Sequence, residues 1–97
     1  MEYEWDEAKR RANLAKHGVD FAAAEGFEWE TATIQPDLRR DNGETRFRAF
    51  GLINDMLHLL VFTMRHGVCR IISFRPANRK EVIAYDPTRP DSDSGRG

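Results

Sequence analysis

The stretch WDEAKRRANLAKHGVDF, residues 5–21, contains signals for the beginning and the end of a short helix. Asp6 can accept hydrogen bonds from the free amide groups of a first turn, and Gly18 can adopt the left-handed conformation that ends a helix. The stretch therefore predicts a helix that stops at Lys16, His17 and Gly18. This corner can present to a pocket a fixed positive charge and a side chain that titrates near neutral pH.

The rest of the chain alternates between helix and strand signals. Asp20 is a plausible N-cap for a second helix over residues 21–27, with Phe21, Ala24 and Phe27 on one face. Apolar and β-branched residues then predict four strands, at residues 31–34, 46–53, 56–65 and 68–75. Pro36 is expected to end the first of them.

Tight turns join the last three predicted strands, and a capping pair begins a final helix that reaches Tyr85. The turn residues are Asn54, Asp55, His66 and Gly67, and the capping residues are Asn78 and Glu81. This order predicts an α+β fold with two N-terminal helices, a mostly antiparallel four-stranded sheet and one C-terminal helix. Residues 1–86 form one domain in this interpretation, the polar segment 37–45 is a loop, and residues 87–97 are a disordered tail.

Composition limits the class of protein. A chain of 97 residues with 40% hydrophobic and 32% charged residues is typical of one small soluble domain. It has neither the run of about 20 apolar residues that crosses a bilayer nor the basic-then-apolar start of a secretory signal. Cys69 is the single cysteine, so it is interpreted as a buried thiol in a reducing compartment. We therefore expect a cytoplasmic protein with no membrane partner.

Charges are strongly segregated along the chain. Acidic residues dominate before Gln35, whereas nine basic residues face only three acidic ones between Arg39 and Lys80. Most of the nine are arginines, whose forked side chains suit phosphate recognition. A neutral chain with a basic half can still bind a polyanion, because the local field decides binding. The alternative is that individual arginines pair with the acidic N-terminal half.

Two motifs resemble those of the BrnT family of type II toxins. The first is W-D-x-x-K-x-x-x-N-x-x-K-H-G-V-x-F at residues 5–21, and the second is R-I-I-S-x-R-x-A-x-x-x-E at residues 70–81, followed by Tyr85. Arg46 and Phe47, followed by Gly51, also fall where the family has an Arg-Phe pair and a Gly. The resemblance covers about residues 1–86. Pro76 departs from the family pattern, and this could shift the start of the last helix and the position of Arg79.

The resemblance implies a compact RelE-like ribonuclease that inhibits translation by cutting RNA. It also implies a neutralising antitoxin, BrnA, which binds DNA, and a toxin–antitoxin complex that represses its own promoter. No cofactor is implied. A zinc site is not expected either, because the histidines lack ligand spacing and Cys69 has no partner.

Metal-independent RNA cleavage needs a base for the 2′-hydroxyl, cations for the charge on phosphorus, and an acid for the leaving 5′-oxygen. His17 is the best candidate for acid or base, with Glu81 and Tyr85 as alternatives, and the choice between the two roles stays open. The predicted catalytic residues are His17, Lys16, Arg65, Arg75, Arg79 and Tyr85. The predicted phosphate-binding residues are Arg46, Arg48, Arg70 and Lys80.

Several of these residues also have purely structural interpretations. His17 can bond the last carbonyls of its helix, where the dipole favours its cation. Arg70 can form a salt bridge across the sheet, Tyr85 can pack in the core, and Lys9 can be a solvated helix residue. Trp29, by contrast, has a functional interpretation, because its indole can stack on an RNA base. The alternative function is a non-catalytic RNA-binding protein, or a degenerate toxin that acts only within an antitoxin repressor complex.

Overall fold

The computed structural model describes residues 1–38 and 43–85. In these ranges the chain forms five strands, two α-helices and two 3₁₀ helices. In chain order they are β1 Tyr3–Glu4, α1 Glu7–His17, the 3₁₀ helices Phe21–Gly26 and Trp29–Thr31, β2 Thr33–Asp37, β3 Arg46–Ile53, β4 Met56–Arg65, β5 Val68–Pro76 and α2 Arg79–Tyr85. The predicted α+β class is confirmed. Neither α1 nor α2 has the length and apolar character that a membrane-crossing helix needs.

The sheet is five-stranded and mixed, so the prediction of four mostly antiparallel strands is wrong in part. Its order is β1-β5-β4-β3-β2, and all neighbours are antiparallel except β1 and β5, which run parallel. The extra strand pairs Tyr3 with Cys69 and Glu4 with Arg70. Two residues are too few to show a period of two, so the sequence pattern could not reveal this strand.

The second predicted helix is a 3₁₀ helix, Phe21–Gly26, and not an α-helix. Asp20 caps it as expected, since the amide of Ala22 donates to its carboxylate at 3.0 Å. The apolar residues Phe21, Ala24 and Phe27 are three positions apart, and three residues per turn is the period of a 3₁₀ helix. That spacing places all three in the core, where each is at most 5% exposed.

The first predicted strand is displaced. β2 spans Thr33–Asp37 rather than 31–34, so Pro36 lies within the strand instead of ending it. Within the described residues β2 pairs with β3 alone, and a proline fits an edge strand because no hydrogen bond from its nitrogen is needed there. Part of the predicted loop, residues 39–42, and the predicted tail, residues 87–97, lie outside the described residues.

The ends of α1 match the prediction. The amide of Lys9 donates to Asp6 at 3.1 Å, and Gly18 has a φ of 73° with its amide donating to the carbonyl of Leu14 at 2.8 Å. Both predicted turns are also present, with positive φ at all four turn residues, Asn54, Asp55, His66 and Gly67. These turns make β4 the middle strand of the sheet, as expected.

The capping pair of α2 is formed in both directions. The amide of Asn78 donates to Glu81 at 2.9 Å, and the amide of Glu81 donates to the Asn78 side chain at 2.8 Å. This pair sets the helix start at Arg79 despite Pro76. Glu81 is thereby held close to the end of β5.

The core lies on the face of the sheet that the two 3₁₀ helices cover. Its largest fully buried residues are Phe21, Phe74, Leu60, Ile71 and Cys69. Cys69 is fully buried, which confirms its interpretation as a buried thiol, and this burial raises the pKa of the thiol to about 11.

Asn13 fixes α1 against β5. Its side-chain amide donates to the carbonyl of Phe74 at 2.7 Å and to that of Val19 at 3.0 Å, and its carbonyl accepts from the amide of Phe74 at 3.1 Å. One side chain therefore joins the helix to the backbone of β5. Because Lys9 and His17 are four residues to either side of Asn13, they lie on the same side of α1.

Candidate functional site

The face of the sheet opposite the core carries a set of arginines. On β4, Leu59, Val61 and Thr63 are alternate residues and therefore point to the same face. Residues paired in register share that face, so it also carries the partners Arg48, Arg70, Ser73 and Arg75. Alternation along β3 and β4 adds the remaining members. We call this surface the arginine face, and its members are Arg46, Arg48, Arg65, Arg70 and Arg75.

At one end of the arginine face, a carboxylate bridges two arginines. Arg75 donates to both carboxylate oxygens of Glu81 at 2.8 Å, and the guanidinium of Arg48 lies 4.0 Å from the same carboxylate. The hydrogen bonds from Arg75 are the main reason why the pKa of Glu81 is lowered from its ordinary value of 4.5. Glu81 is therefore ionised at neutral pH and orients both arginines. We call this region the Arg75 end.

His17 lies at the corner beside the Arg75 end. Partial burial is the main cause that lowers the pKa of His17 from 6.5, and the charges of Lys16 and Arg75 lower it further. This direction is opposite to the one expected from the end of a helix alone, because burial and two cations outweigh the dipole. The imidazole is therefore neutral at pH 7, so it can accept a proton.

At the other end of the arginine face lies a cleft of about 130 Å³, which we call the Lys9 cleft. Its lining includes Asp6, Lys9, Glu44, Arg46, Thr63, Arg65 and Arg70. Arg65 donates to both oxygens of Glu44, at 3.0 and 3.2 Å, and Arg70 donates to Glu4 at 2.9 Å. The salt-bridge interpretation of Arg70 is thus confirmed. The pairing with Arg65 lowers the pKa of Glu44 and raises that of Arg65.

Two arginines carry buried nitrogen atoms without acceptors. The Nε atoms of Arg46 and Arg48 are both buried, and neither has a hydrogen-bond partner among the residues that the structure describes. A buried donor without an acceptor is unfavourable, and an anion bound on this face would relieve that cost.

The matching protein-family model is that of the ribonuclease toxin BrnT of type II toxin–antitoxin systems, and it matches residues 5–81. The chain belongs to this family. The resemblance seen in the two motifs is therefore confirmed, and membership of a type II system implies a protein antitoxin as partner. A search of curated proteins found no match.

The first BrnT motif gains a physical explanation from the structure. Asp6 and Gly18 set the limits of α1, Asn13 joins it to β5, and His17 comes to lie near Arg75. In the second motif, Arg70 pairs with Glu4 and Arg75 with Glu81. Both motifs thus border the arginine face.

The predicted site residues do not all gather in one place. Arg46, Arg65 and Arg70 meet in the Lys9 cleft, and Arg48, Arg75 and His17 lie toward the Arg75 end. Lys16 is exposed next to His17, whereas Arg79 and Lys80 are exposed in the first turn of α2.

Tyr85 and Trp29 both make hydrogen bonds within the protein. The hydroxyl of Tyr85 donates to the carbonyl of Thr31 at 2.6 Å, so it ties α2 to the segment before β2. The indole of Trp29 donates to the Tyr3 hydroxyl at 2.7 Å, and its ring packs edge-on against Phe27 and Phe62. These contacts help to hold the fold together, whereas the catalytic role of Tyr85 and the stacking of Trp29 on a base stay predictions.

Lys9 is exposed, as its interpretation as a solvated helix residue predicts. Its position in the lining of the cleft beside Arg46 is what the sequence interpretation did not foresee. The available signal was its spacing of four from Asn13, which places both side chains on one side of α1. Within residues 1–38 and 43–85, no group of three His, Cys, Asp or Glu side chains is placed to hold a metal ion.

Proposed function

We propose that this chain is a metal-independent endoribonuclease that inhibits translation by cutting RNA at the Arg75 end of the arginine face. The observation that carries the proposal is the arrangement of Arg48 and Arg75 around the Glu81 carboxylate, with His17 close enough to Arg75 for that charge to lower the pKa of the imidazole. A proton acceptor next to cations is the arrangement that phosphate transesterification requires.

In the proposed reaction, His17 takes the proton of the 2′-hydroxyl, whose oxygen then attacks the adjacent phosphorus. The 2′-oxygen–phosphorus bond forms while the bond to the 5′-oxygen breaks, which leaves a 2′,3′-cyclic phosphate and a 5′-hydroxyl. Arg48 and Arg75 stabilise the additional negative charge on the phosphoryl oxygens. Lys16, exposed at the same corner, gives a proton to the leaving oxygen.

Glu81 acts here as a positioning residue and not as the base. Its lowered pKa makes it a weak proton acceptor, and its carboxylate is already shared between Arg75 and Arg48. Arg46, Arg65 and Arg70 bind flanking phosphates, and the exposed Arg79 and Lys80 extend the basic surface. A chemistry of this kind needs no cofactor and no metal ion.

The proposed partner is a BrnA-like antitoxin that binds the toxin in a hetero-oligomer and contacts DNA itself. The proposed site of action is the cytoplasm, where the RNA substrate is found. Both assignments extend the family membership, which implies a protein antitoxin without naming it.

The test is tightly controlled expression of the chain, followed by growth measurements and by mapping of cellular RNA ends. We expect growth arrest with new ends that carry cyclic phosphates, relief by the neighbouring small gene, and cleavage by purified protein in the presence of EDTA. His17→Gln should lower the cleavage rate by about 10²–10⁴-fold, the usual contribution of a general base.

Arg11→Gln is the matched control, because Arg11 is an exposed residue of the same helix. It should cleave like the wild type. If soluble, folded wild-type protein arrests nothing and leaves RNA intact, the alternative of a non-catalytic binding protein replaces this proposal. If His17→Gln cleaves normally, the base is a different residue.

A further inference from the structure

The Lys9 cleft combines elements that are distant in the sequence. The first turn of α1 contributes Asp6 and Lys9, and the strands contribute Arg46, Thr63 and Arg70. A volume of about 130 Å³ leaves room for several water molecules, or for one phosphate group in their place.

The charges that line this cleft are unbalanced. Lys9, Arg46, Arg65 and Arg70 are cations, whereas Asp6 and Glu44 are the acidic residues of the lining. Glu44 is already held by Arg65, and Asp6 accepts the first-turn amide of α1. Within the described residues, no carboxylate lies within ion-pair distance of Lys9 or Arg46. Lys9 and Arg46 are therefore the two cations of the cleft that have no ion-pair partner within the described residues.

A second observation points to an anion. The Nε of Arg46 is buried without a hydrogen-bond partner in the described part of the chain. Burial of such a group costs free energy unless an acceptor or an opposite charge comes close. A phosphate in the cleft would supply that charge.

The position of the cleft defines which phosphate it would take. Two residues of β4 mark the two ends of the arginine face: Thr63 lines the cleft, and Leu59 pairs with Arg75. They are four residues apart, which corresponds to about 13 Å along the strand. Both positions lie on the arginine face, so one extended polyanion can reach the cleft and the Arg75 end together.

We propose that the Lys9 cleft is a subsite for a backbone phosphate of single-stranded RNA, away from the bond that is cut, with Lys9 and Arg46 as its ligands. The proposal rests on the proposed function for the identity of the polyanion. Lys9 thus contributes to holding the substrate and not to the chemical step, so its loss raises KM and leaves kcat unchanged.

The experiment measures binding of an uncleavable probe, a 2′-O-methyl oligoribonucleotide, to the full chain by fluorescence anisotropy over a series of salt concentrations. Each phosphate that a protein neutralises on a single strand contributes about 0.7 to the slope of log K against log salt. Lys9→Gln should weaken binding and reduce this slope by about 0.7. Arg11→Gln, which removes one charge from an exposed position of the same helix, should leave the slope unchanged.

Arg46→Gln provides an independent check, because it alters the same subsite from a strand. The double variant, with Lys9→Gln and Arg46→Gln together, should reduce the slope of log K against log salt by no more than Lys9→Gln alone. The reason is that both residues hold the same phosphate. Equal losses for Lys9→Gln and Arg11→Gln would overturn the subsite, because then only the overall charge matters. So would a Lys9→Gln variant that lowers kcat and leaves the slope intact.

The binding assay separates this inference from the proposed function. If the protein cuts no RNA but Lys9→Gln still reduces the slope, the enzyme assignment fails and the subsite stands. If RNA is cut and the slope does not change, the subsite fails alone.

Discussion

The two faces of the sheet are formed by the same strands, but different kinds of side chain cover them. On the core face, Leu60 and Phe74 are opposite each other and fully buried under Phe21 and Phe27. On the arginine face, Leu59 and Arg75 are opposite each other, and the cover is a set of guanidinium groups and carboxylates.

This difference separates stability from function. Successive residues of β3, β4 and β5 point to opposite faces, so neighbouring positions in the sequence serve different purposes. A substitution on the core face should mainly change the free energy of unfolding, and one on the arginine face should mainly change contact with an anion. Three substitutions test this separation, in order of decreasing effect on stability.

Phe74→Ala should have the largest effect. Phe74 is 0% exposed in the core cluster, and truncation of a buried phenylalanine costs about 3–5 kcal/mol. Urea unfolding followed by circular dichroism measures the change. Phe50→Ala is the matched control, because Phe50 is half-buried on the arginine face under Arg48. Equal losses from the two variants would contradict the separation.

Gly51→Ala should cost about 1–3 kcal/mol, as overpacking does. A Cβ at Gly51 would lie 2.5 Å from the ring of Phe27, so the ring must move. Gly26→Ala is the control, because its nearest new contact is Ile53 at an ordinary 3.8 Å. The midpoint of thermal unfolding should fall for the first variant and hardly change for the second. A stable Gly51→Ala protein would show that Phe27 has room to shift.

Glu81→Gln should have the smallest effect at pH 7, about 1 kcal/mol, as expected for a partly exposed ion pair. The pKa of Glu81 is lowered in the folded protein, so its stabilisation is present above the unfolded value near 4.5 and disappears as the pH falls through the folded value. The variant should therefore lose less stability on acidification than the wild type does.

Urea midpoints measured from pH 7 down to about 3 test this prediction, because the stabilisation begins to decrease once the pH falls below the unfolded value of Glu81. Glu30→Gln is the control, since Glu30 is an exposed residue outside the arginine face. If Glu81→Gln and wild type respond identically to acid, the Glu81 carboxylate does not stabilise the fold through Arg75.

Local signals in the sequence predicted much of the fold. β4 has the predicted limits because an apolar run is bounded by two tight turns. α1 begins and ends at its capping residues, and α2 begins at its capping pair. The sequence did not reveal β1, because two residues carry no period. It also did not distinguish a 3₁₀ helix from an α-helix at Phe21–Gly26, because only three apolar residues mark the buried face of this segment.

The site was harder to predict than the fold. Sequence reasoning identified the arginines and His17 by residue type, but their partners come from distant segments. Glu4 reaches Arg70 only because β1 joins the sheet, and Lys9 reaches the cleft only because Asn13 holds α1 against β5. Such pairings depend on tertiary contacts, which no local spacing specifies.

The side-chain amide of Asn13 carries the same donor and acceptor as a peptide group, and it offers both to Phe74. Asn13 therefore occupies the backbone hydrogen-bonding groups of Phe74, on the same side of β5 on which β1 pairs with Cys69 and Arg70. In the part of the chain that the structure describes, the edge strand on the opposite side of the sheet is β2, which contains Pro36. Since proline has no backbone N–H, a strand added along β2 would meet an interrupted ladder of hydrogen bonds, which disfavours growth of the sheet at this edge.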